Sequence, residues 1–175
     1  MKKSQLKPLM YKKIPFNGKA PRVQAIFIAP NCFLIGDVLL KEGSSVWFGS
    51  TLRGDTMPCQ IGSGSVILEH CFVENSIIGD ETLLSHGVIA HKCTIGNNVL
   101  VGIGARVING AEIGDNSLIG AGALILPNMR IPPNSVVVEK GKVLRTIDEK
   151  DILYIHDSVK EVQEKAKILQ ETLSI

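Results

Sequence analysis

The chain has 175 residues, enough for one domain and a short appendage. Its 19 Lys and Arg nearly balance its 17 Asp and Glu, for a formal net charge of +2, so it lacks the basic excess of a dedicated nucleic-acid binder. The longest apolar runs fall far short of the roughly 20 residues that a membrane helix needs. Aromatic residues make up only 5% of the chain, so the core must be built from small aliphatic side chains.

The basic start of the chain is not followed by the apolar segment of a secretory signal. The cysteines form no close-spaced pair, and they are Cys32, Cys59, Cys71 and Cys93. Without an export signal, we expect reduced thiols in a cytoplasmic protein that binds neither nucleic acid nor membrane.

A six-residue period runs along most of the chain. Weak copies occupy 23–46, clearer ones 61–73 and 78–90, and the phase then holds without a break from Ile95. Aliphatic residues open the later repeats at Ile95, Val101, Val107, Ile113, Ile119, Ile125 and Ile131. This period fits neither a helix nor simple alternation, but it fits a short strand plus a turn, repeated.

The period predicts a mainly β fold, a parallel β-helix in which three hexapeptides make one coil of about 18 residues. The coils would stack at a strand spacing of roughly 4.8 Å. About six coils fit between Val23 and Val138, and we assign residues 1–145 to this domain. The alternative, a β-sandwich, would not hold a six-residue period through seven consecutive repeats.

The tail, residues 146–175, reads as a C-terminal α-helix that packs on the prism. From Asp148 to Leu173 it is charged, free of Gly and Pro, and its apolar residues recur at intervals of three and four. Thr146 is the predicted N-cap, with Glu149 completing a capping box. A free coiled-coil tail is the alternative, but the run of heptads is short.

Polar residues that break the repeat cluster between Arg53 and Cys93. Glu74 and His91 each directly follow a repeat-opening aliphatic residue, one coil apart, so we expect them one strand spacing apart. His86 belongs to the preceding face and would join them only from a neighbouring copy of the chain. Two imidazoles and a carboxylate suit a catalytic zinc, and equally Fe(II) or Co(II). The alternative is that these histidines are simply solvated.

The tripeptide Arg53-Gly54-Asp55 precedes these coils and has two interpretations. It matches an adhesion tripeptide by chance, or Arg53 and Asp55 form a buried or interface ion pair. The expected reducing compartment favours the ion pair. Cys71 falls in an inward small-residue position and is predicted to lie in the core, whereas His70 is predicted to be solvated.

Several of these segments together resemble the gamma-class carbonic anhydrase family. They are SVWFGSTLRGD (45–55), IGSGSVILEHCFVEN (61–75) and LLSHGVIAHKCTIG (83–96). The resemblance implies a left-handed β-helix and a homotrimer with a metal at each subunit interface, held by three histidines. It also implies reversible hydration of CO2 to bicarbonate. His86 and His91 match two of the three ligands, while Arg53 and Asp55, our catalytic candidates, match the family's interface pair.

The chain departs from the family at three positions. Glu74 stands where the first metal-binding histidine is expected, so the predicted metal set is Glu74, His86 and His91. Leu68 replaces a glutamine that steers the metal-bound hydroxide, and Val162 replaces a tyrosine of the closing helix. A carboxylate can replace an imidazole at zinc but makes the site more anionic, so we expect weak or absent carbonic anhydrase activity.

Three functions compete at this point. The first is a carbonic-anhydrase-like, metal-dependent lyase that uses zinc, or iron or cobalt, on CO2 and bicarbonate. The second is an acyl-CoA-dependent transferase or thioesterase with His86 or His91 as general base, because that chemistry uses the same repeat. The third is a trimer that keeps the fold as a scaffold or metal store without catalysis.

Overall fold

Each six-residue repeat folds into a strand of two or three residues and a turn, and successive strands stack in parallel. The computed structural model describes residues 11–173, which form a parallel β-solenoid of about 7 turns followed by one α-helix. The predicted fold class is confirmed. Residues 1–10, which include part of the basic start of the chain, lie outside the described residues.

The strands, in chain order, are β1 (Lys12–Ile14), β2 (Arg22–Val23), β3 (Phe27–Ile28), β4 (Phe33–Leu40), β5 (Ser45–Val46), β6 (Thr51–Ile61), β7 (Val66–Ile67), β8 (Phe72–Glu74), β9 (Ile77–Ile78), β10 (Leu83–Leu84), β11 (Ile89–His91), β12 (Thr94–Ile95), β13 (Leu100–Val101), β14 (Arg106–Ile108), β15 (Glu112–Ile113), β16 (Leu118–Ile119), β17 (Leu124–Ile125), β18 (Arg130–Ile131), β19 (Ser135–Val138) and β20 (Lys142–Thr146). The helix α1 spans Glu149–Leu173.

Two sheets cover the three sides of the prism. The 12-stranded sheet takes two sides, because the long strands β4 and β6 turn a corner and pair on both of them. We call the side formed by β8, β11, β14, β17 and the first residues of β6 the site face. The 8-stranded sheet, from β3 to β19 and closed by antiparallel β20, makes the third side, which we call the helix face.

The corners depend on residues that tolerate a left-handed backbone. Asn98 and Asn116 occupy one corner on successive coils with φ near 50°, and Gly87 and Gly104 occupy another with φ of 69° and 66°. Asparagine and glycine adopt this conformation at the least cost. The corner residues therefore let the chain turn every six residues while the aliphatic side chains stay inside.

The prediction of about six coils is low by one. Strand β1, which pairs with the first half of β4, lies before Val23, where the count of coils began, and opens a further turn with β2 and β3. In the strands that follow β1, the inward residues Phe27 and Leu34 are 1% and 0% exposed. The repeat is weak in 23–46 because an aromatic residue fills the core position of β3.

Helix α1 packs on the helix face through Ile155, Val159 and Ala166, which belong to the same hydrophobic core as the prism. Gln163 adds a polar anchor, since its Nε2 donates to the carbonyl oxygen of Gly64 at 2.5 Å. Within residues 11–173, no helix is both long and apolar enough to cross a membrane.

The predicted capping box at Thr146 is wrong by two residues. Asp148 is the N-cap: its Oδ1 accepts the backbone N–H of Asp151 at 3.0 Å, and Asp151 Oδ2 accepts the backbone N–H of Asp148 at 2.9 Å. Thr146 is the last residue of β20 and remains extended. The antiparallel closing strand, which the repeat does not predict, therefore delays the start of the helix.

All four cysteines are free and buried, including Cys71, as predicted for a core position. Burial raises the pKa of the thiols of Cys59 and Cys71 to about 12, and of Cys32 and Cys93 to about 11, from an ordinary 9.0. Thiols with such pKa values are almost wholly protonated near neutral pH and therefore react slowly.

We expect the native protein at pH 8 to react with a thiol reagent at least about 100-fold more slowly than the unfolded chain, since thiolate is the reacting form. The free energy of unfolding should also fall as the pH rises from about 9 to 11, because the unfolded thiols lose their protons first. Absorbance at the reagent's product band, with and without guanidinium, measures the rate. Rapid labelling of any cysteine in the folded protein would contradict this expectation.

Candidate functional site

Three polar side chains form a row across the site face. Arg53 pairs in register with Glu74, and Glu74 pairs in register with His91. Their neighbours Leu52, Val73 and Ala90 point inward and are 0% exposed, so the row points outward. The expected placement of Glu74 and His91 on adjacent coils agrees with this register.

The carboxylate of Glu74 lies at the centre of the row and is only 8% exposed. Its Oε2 is 2.7 Å from Nη2 of Arg53 and 3.4 Å from Nε2 of His91. Its Oε1 accepts a hydrogen bond from Nδ2 of Asn75 at 3.3 Å. A carboxylate this buried requires such partners, because desolvation penalises an unpaired charge.

Arg53 is held from two further sides. Its Nε lies 3.2 Å from Oδ2 of Asp55, so an ion pair forms within one chain, and its guanidinium stacks over the ring of Phe72 at 5.6 Å. The hydrogen bond to Glu74 raises the pKa of Arg53, which remains charged. The ion-pair interpretation of the tripeptide therefore agrees with the geometry.

Asn75 is a member of this network that the sequence analysis missed. It is 1% exposed, its Oδ1 accepts the backbone N–H groups of Asp55, Thr56 and Met57, and its Nδ2 donates to Oδ1 of Asp55 at 2.7 Å. That donation holds the pKa of Asp55 below its ordinary value. The available signal in the sequence was an asparagine directly after Glu74, and in the structure this residue turns a corner with φ of 49°.

Asn109 is a second residue that the sequence analysis missed. It lies one coil after His91, and its Oδ1 is 2.6 Å from Nδ1 of His91. An amide oxygen can only accept, so Nδ1 of His91 carries a proton and Nε2 is the nitrogen that faces Glu74. Asn109 thus fixes the ring orientation of His91.

His86 lies apart from this row, at the corner between the helix face and the site face. Its Nδ1 is 2.8 Å from Oε2 of Glu69, and its side chain is 53% exposed. With Glu69 it lines a cavity of about 200 Å³ beside the helix. Leu68 and Val162, the two positions at which the chain departs from the gamma-class pattern besides Glu74, line the same cavity.

Two donors of the row have a spacing that suits a metal ion. Ligands about 2.0–2.2 Å from a tetrahedral zinc lie roughly 3.3–3.5 Å apart, and Oε2 of Glu74 and Nε2 of His91 are 3.4 Å apart. Among the described residues of one chain, no group of three or more His, Cys, Asp and Glu side chains is placed to hold a metal. The row therefore supplies two possible metal donors. One of them, Oε2 of Glu74, is also the ion-pair partner of Arg53.

The chain is similar to a hexapeptide-repeat family and to several carbonic anhydrases. Residues 92–127 match the family described as bacterial transferase hexapeptide (six repeats). Several gamma carbonic anhydrases are 33–42% identical. The mitochondrial gamma carbonic anhydrase 2 of Arabidopsis thaliana is 35% identical over 104 residues, 53% of this chain and 37% of that protein. The matches span 37–57% of the length of these carbonic anhydrases.

Two solved structures match over nearly their whole length. A hexapeptide transferase family protein from Anaplasma phagocytophilum is 31% identical with a TM-score of 0.84, and the match covers 89% of this chain and 96% of that one. A Bacillus cereus protein whose description names an acetyltransferase is 29% identical with a TM-score of 0.78, over 93% of this chain and 98% of that one.

Replacing Arg53 with Met should lower the free energy of unfolding by about 1–3 kcal/mol, because it leaves the buried Glu74 carboxylate without its closest partner. Adding Glu74→Gln should recover part of that loss. Urea unfolding of both single variants and the double variant measures the coupling.

The matched control is Arg130→Met. Arg130 pairs with Glu112 at 3.4 Å, but both side chains are more than half exposed, so the loss should stay below about 0.5 kcal/mol. If Arg53→Met and Arg130→Met lowered the free energy of unfolding equally, the Arg53–Glu74 pair would stabilise the protein no more than an exposed pair does.

Proposed function

Because this chain belongs to the hexapeptide-repeat family and resembles its gamma carbonic anhydrases, we propose that it is a metal-dependent lyase that hydrates CO2 to bicarbonate slowly. The metal would be zinc, or iron or cobalt, in the cytoplasm, where free thiols such as these four persist. The observation that carries the proposal is the 3.4 Å separation of Glu74 Oε2 and His91 Nε2 on adjacent coils.

The third donor in this proposal is His86 of a neighbouring copy in a homotrimer. A single chain has His86 at a corner, with its ring half exposed, while Glu74 and His91 lie on the adjacent site face. A threefold arrangement can bring the corner of one chain against the site face of the next. The cavity at this corner supports the idea, because Leu68 and Val162 line it beside His86.

A bound divalent metal would supply an acidified water molecule near neutral pH. Glu74 and His91 would hold the metal, and Asn109 fixes the orientation of the His91 ring through Nδ1. Asn75 and Asp55 hold the segment that carries Arg53. Arg53 offsets the added negative charge of Glu74, with which it is in contact at 2.7 Å.

Slow turnover follows from the residues that replace the family's polar groups. Glu74 is an anion where the gamma class has a neutral imidazole, and a more anionic donor set weakens the acidity of a metal-bound water. Leu68 and Val162 are apolar and cannot donate or accept hydrogen bonds near a substrate. The proposed site therefore keeps its donors but lacks the groups that would orient the nucleophile.

Acyl transfer is the second candidate, and one contact favours it. A carboxylate beside an imidazole, as in Glu69 and His86 at 2.8 Å, is the arrangement of a histidine general base. The description of the Bacillus cereus structure as an acetyltransferase points the same way.

Elemental analysis of freshly purified protein should find about one metal per chain, lost in Glu74→Ala and His91→Ala and kept in the control His156→Ala. His156 is an exposed helix residue at 69% exposure. The double substitution Glu74→His with Leu68→Gln should raise the CO2 hydration rate at least about 10-fold, since it restores a neutral donor and a polar neighbour. A metal-free wild-type protein, or ordinary high turnover before substitution, would contradict the proposal.

Acetyl-CoA separates the two candidates. If the protein is an acyltransferase or thioesterase, thiol release from acetyl-CoA should fall at least about 100-fold in His86→Ala and be unaffected by chelators. If our first proposal holds, wild-type protein releases no thiol above background. Neither thiol release nor metal binding would leave a non-catalytic scaffold as the function.

A further inference from the structure

The corner that carries His86 contains a carboxylate to which neither the sequence pattern nor the resemblance assigns a role. Glu69 and His86 each lie two residues after strand positions that pair in register, Ile67 and Leu84. The backbone N–H of Gly87 donates to the carbonyl oxygen of Glu69 at 2.8 Å. The two side chains therefore project from neighbouring coils whose backbones are fixed to each other.

One oxygen of Glu69 is shielded from solvent but has no hydrogen-bond partner among residues 11–173. That atom, Oε2, lies 2.8 Å from Nδ1 of His86, although the ring is not aligned for a hydrogen bond. A buried acceptor without a donor is destabilising, because it has lost its hydrogen bonds to water and gained none in return. Hydrogen bonds of functional histidines are often poorly aligned before a ligand binds.

The other donors around this cavity are already engaged. Trp47 donates through Nε1 to Oγ of Ser45 at 3.1 Å, and Nζ of Lys165 pairs with Glu161 at 2.5 Å. Both line the cavity with Glu69 and His86. Among the side chains of one chain that line this cavity, His86 is thus the donor that can satisfy Glu69 after a small rotation of its ring.

We propose that Glu69 is a positioning residue for His86: its carboxylate holds the proton on Nδ1 and leaves the lone pair on Nε2 for a metal ion or a substrate proton. A carboxylate behind a histidine fixes the tautomer and makes the other nitrogen more basic. The use of Nε2 for a metal ion or a substrate rests on the proposed function. The tautomer depends only on the contact between Glu69 and His86 within one chain.

Nuclear magnetic resonance of the full-length protein with ¹⁵N-labelled histidine tests the tautomer directly at alkaline pH, where the rings are neutral. The His86 signals are assigned by their loss in His86→Gln. We expect the proton on Nδ1 in the wild type and in Glu69→Gln, whose amide oxygen still accepts. In Glu69→Leu the ring should become a mixture of tautomers, and the control Glu112→Leu should leave it unchanged.

The inference would be overturned if the wild-type His86 ring carried its proton on Nε2. It would also be overturned if the tautomer of His86 were the same in Glu69→Leu as in the wild type. The wild-type measurement alone can do so, even if a variant fails to fold.

Zinc affinity, measured by competition with a chelating dye, should weaken about 10–100-fold in Glu69→Leu and much less in Glu69→Gln. Equal affinities in these two variants would overturn the purpose we assign to Glu69. If the tautomer follows Glu69 while no variant or wild-type protein binds zinc, the proposed function fails and the positioning role stands. If zinc binds and the His86 tautomer is the same in the wild type and in Glu69→Leu, the positioning role fails and the proposed function stands.

Discussion

Parallel, in-register pairing between successive coils determines where every side chain of the prism lies. Backbone hydrogen bonds connect each strand to the one a coil later, as Ala90 lies beside Val73 and Val107. Residues 17 or 18 apart in most coils, and 21 apart where β6 carries extra residues, thus become lateral neighbours at one strand spacing. The aliphatic positions stack into the core for the same reason that Glu74 and His91 stack into a pair.

The same stacking places charges close together, and the site face compensates for them locally. Glu74 is shielded from water but is in contact with Arg53, His91 and Asn75. An unpaired carboxylate at this position would be destabilising, because its charge would lose its hydration. The contacts with Arg53 and Asn75 replace part of that hydration. Asn75 links this carboxylate to Asp55, so the charged row and the segment after Arg53 form one network.

The sequence pattern predicted what depends on spacing and missed what depends on side-chain rotamers and corner geometry. The six-residue period led to the fold class and to the Glu74–His91 neighbourhood. It did not reveal strand β1, which lies before the segment in which the coils were counted, or the closing strand β20 that moves the helix cap to Asp148. Asn75 and Asn109 look like ordinary corner residues in sequence. Their amide groups acquire a role only because the corner turns them toward Asp55 and His91.

The negative charge of Glu74 shapes the electrostatics of the site face, and Arg53 partly offsets it. Arg53 carries one positive charge and Asp55 and Glu74 carry one negative charge each, so these three side chains together carry one net negative charge. A neutral side chain in place of Glu74 would leave Arg53 and Asp55 as a balanced pair. The guanidinium 2.7 Å from Oε2 of Glu74 lowers the negative potential around that carboxylate. The contact between Arg53 and Glu74 therefore determines how much of the charge of Glu74 a ligand on the site face would meet.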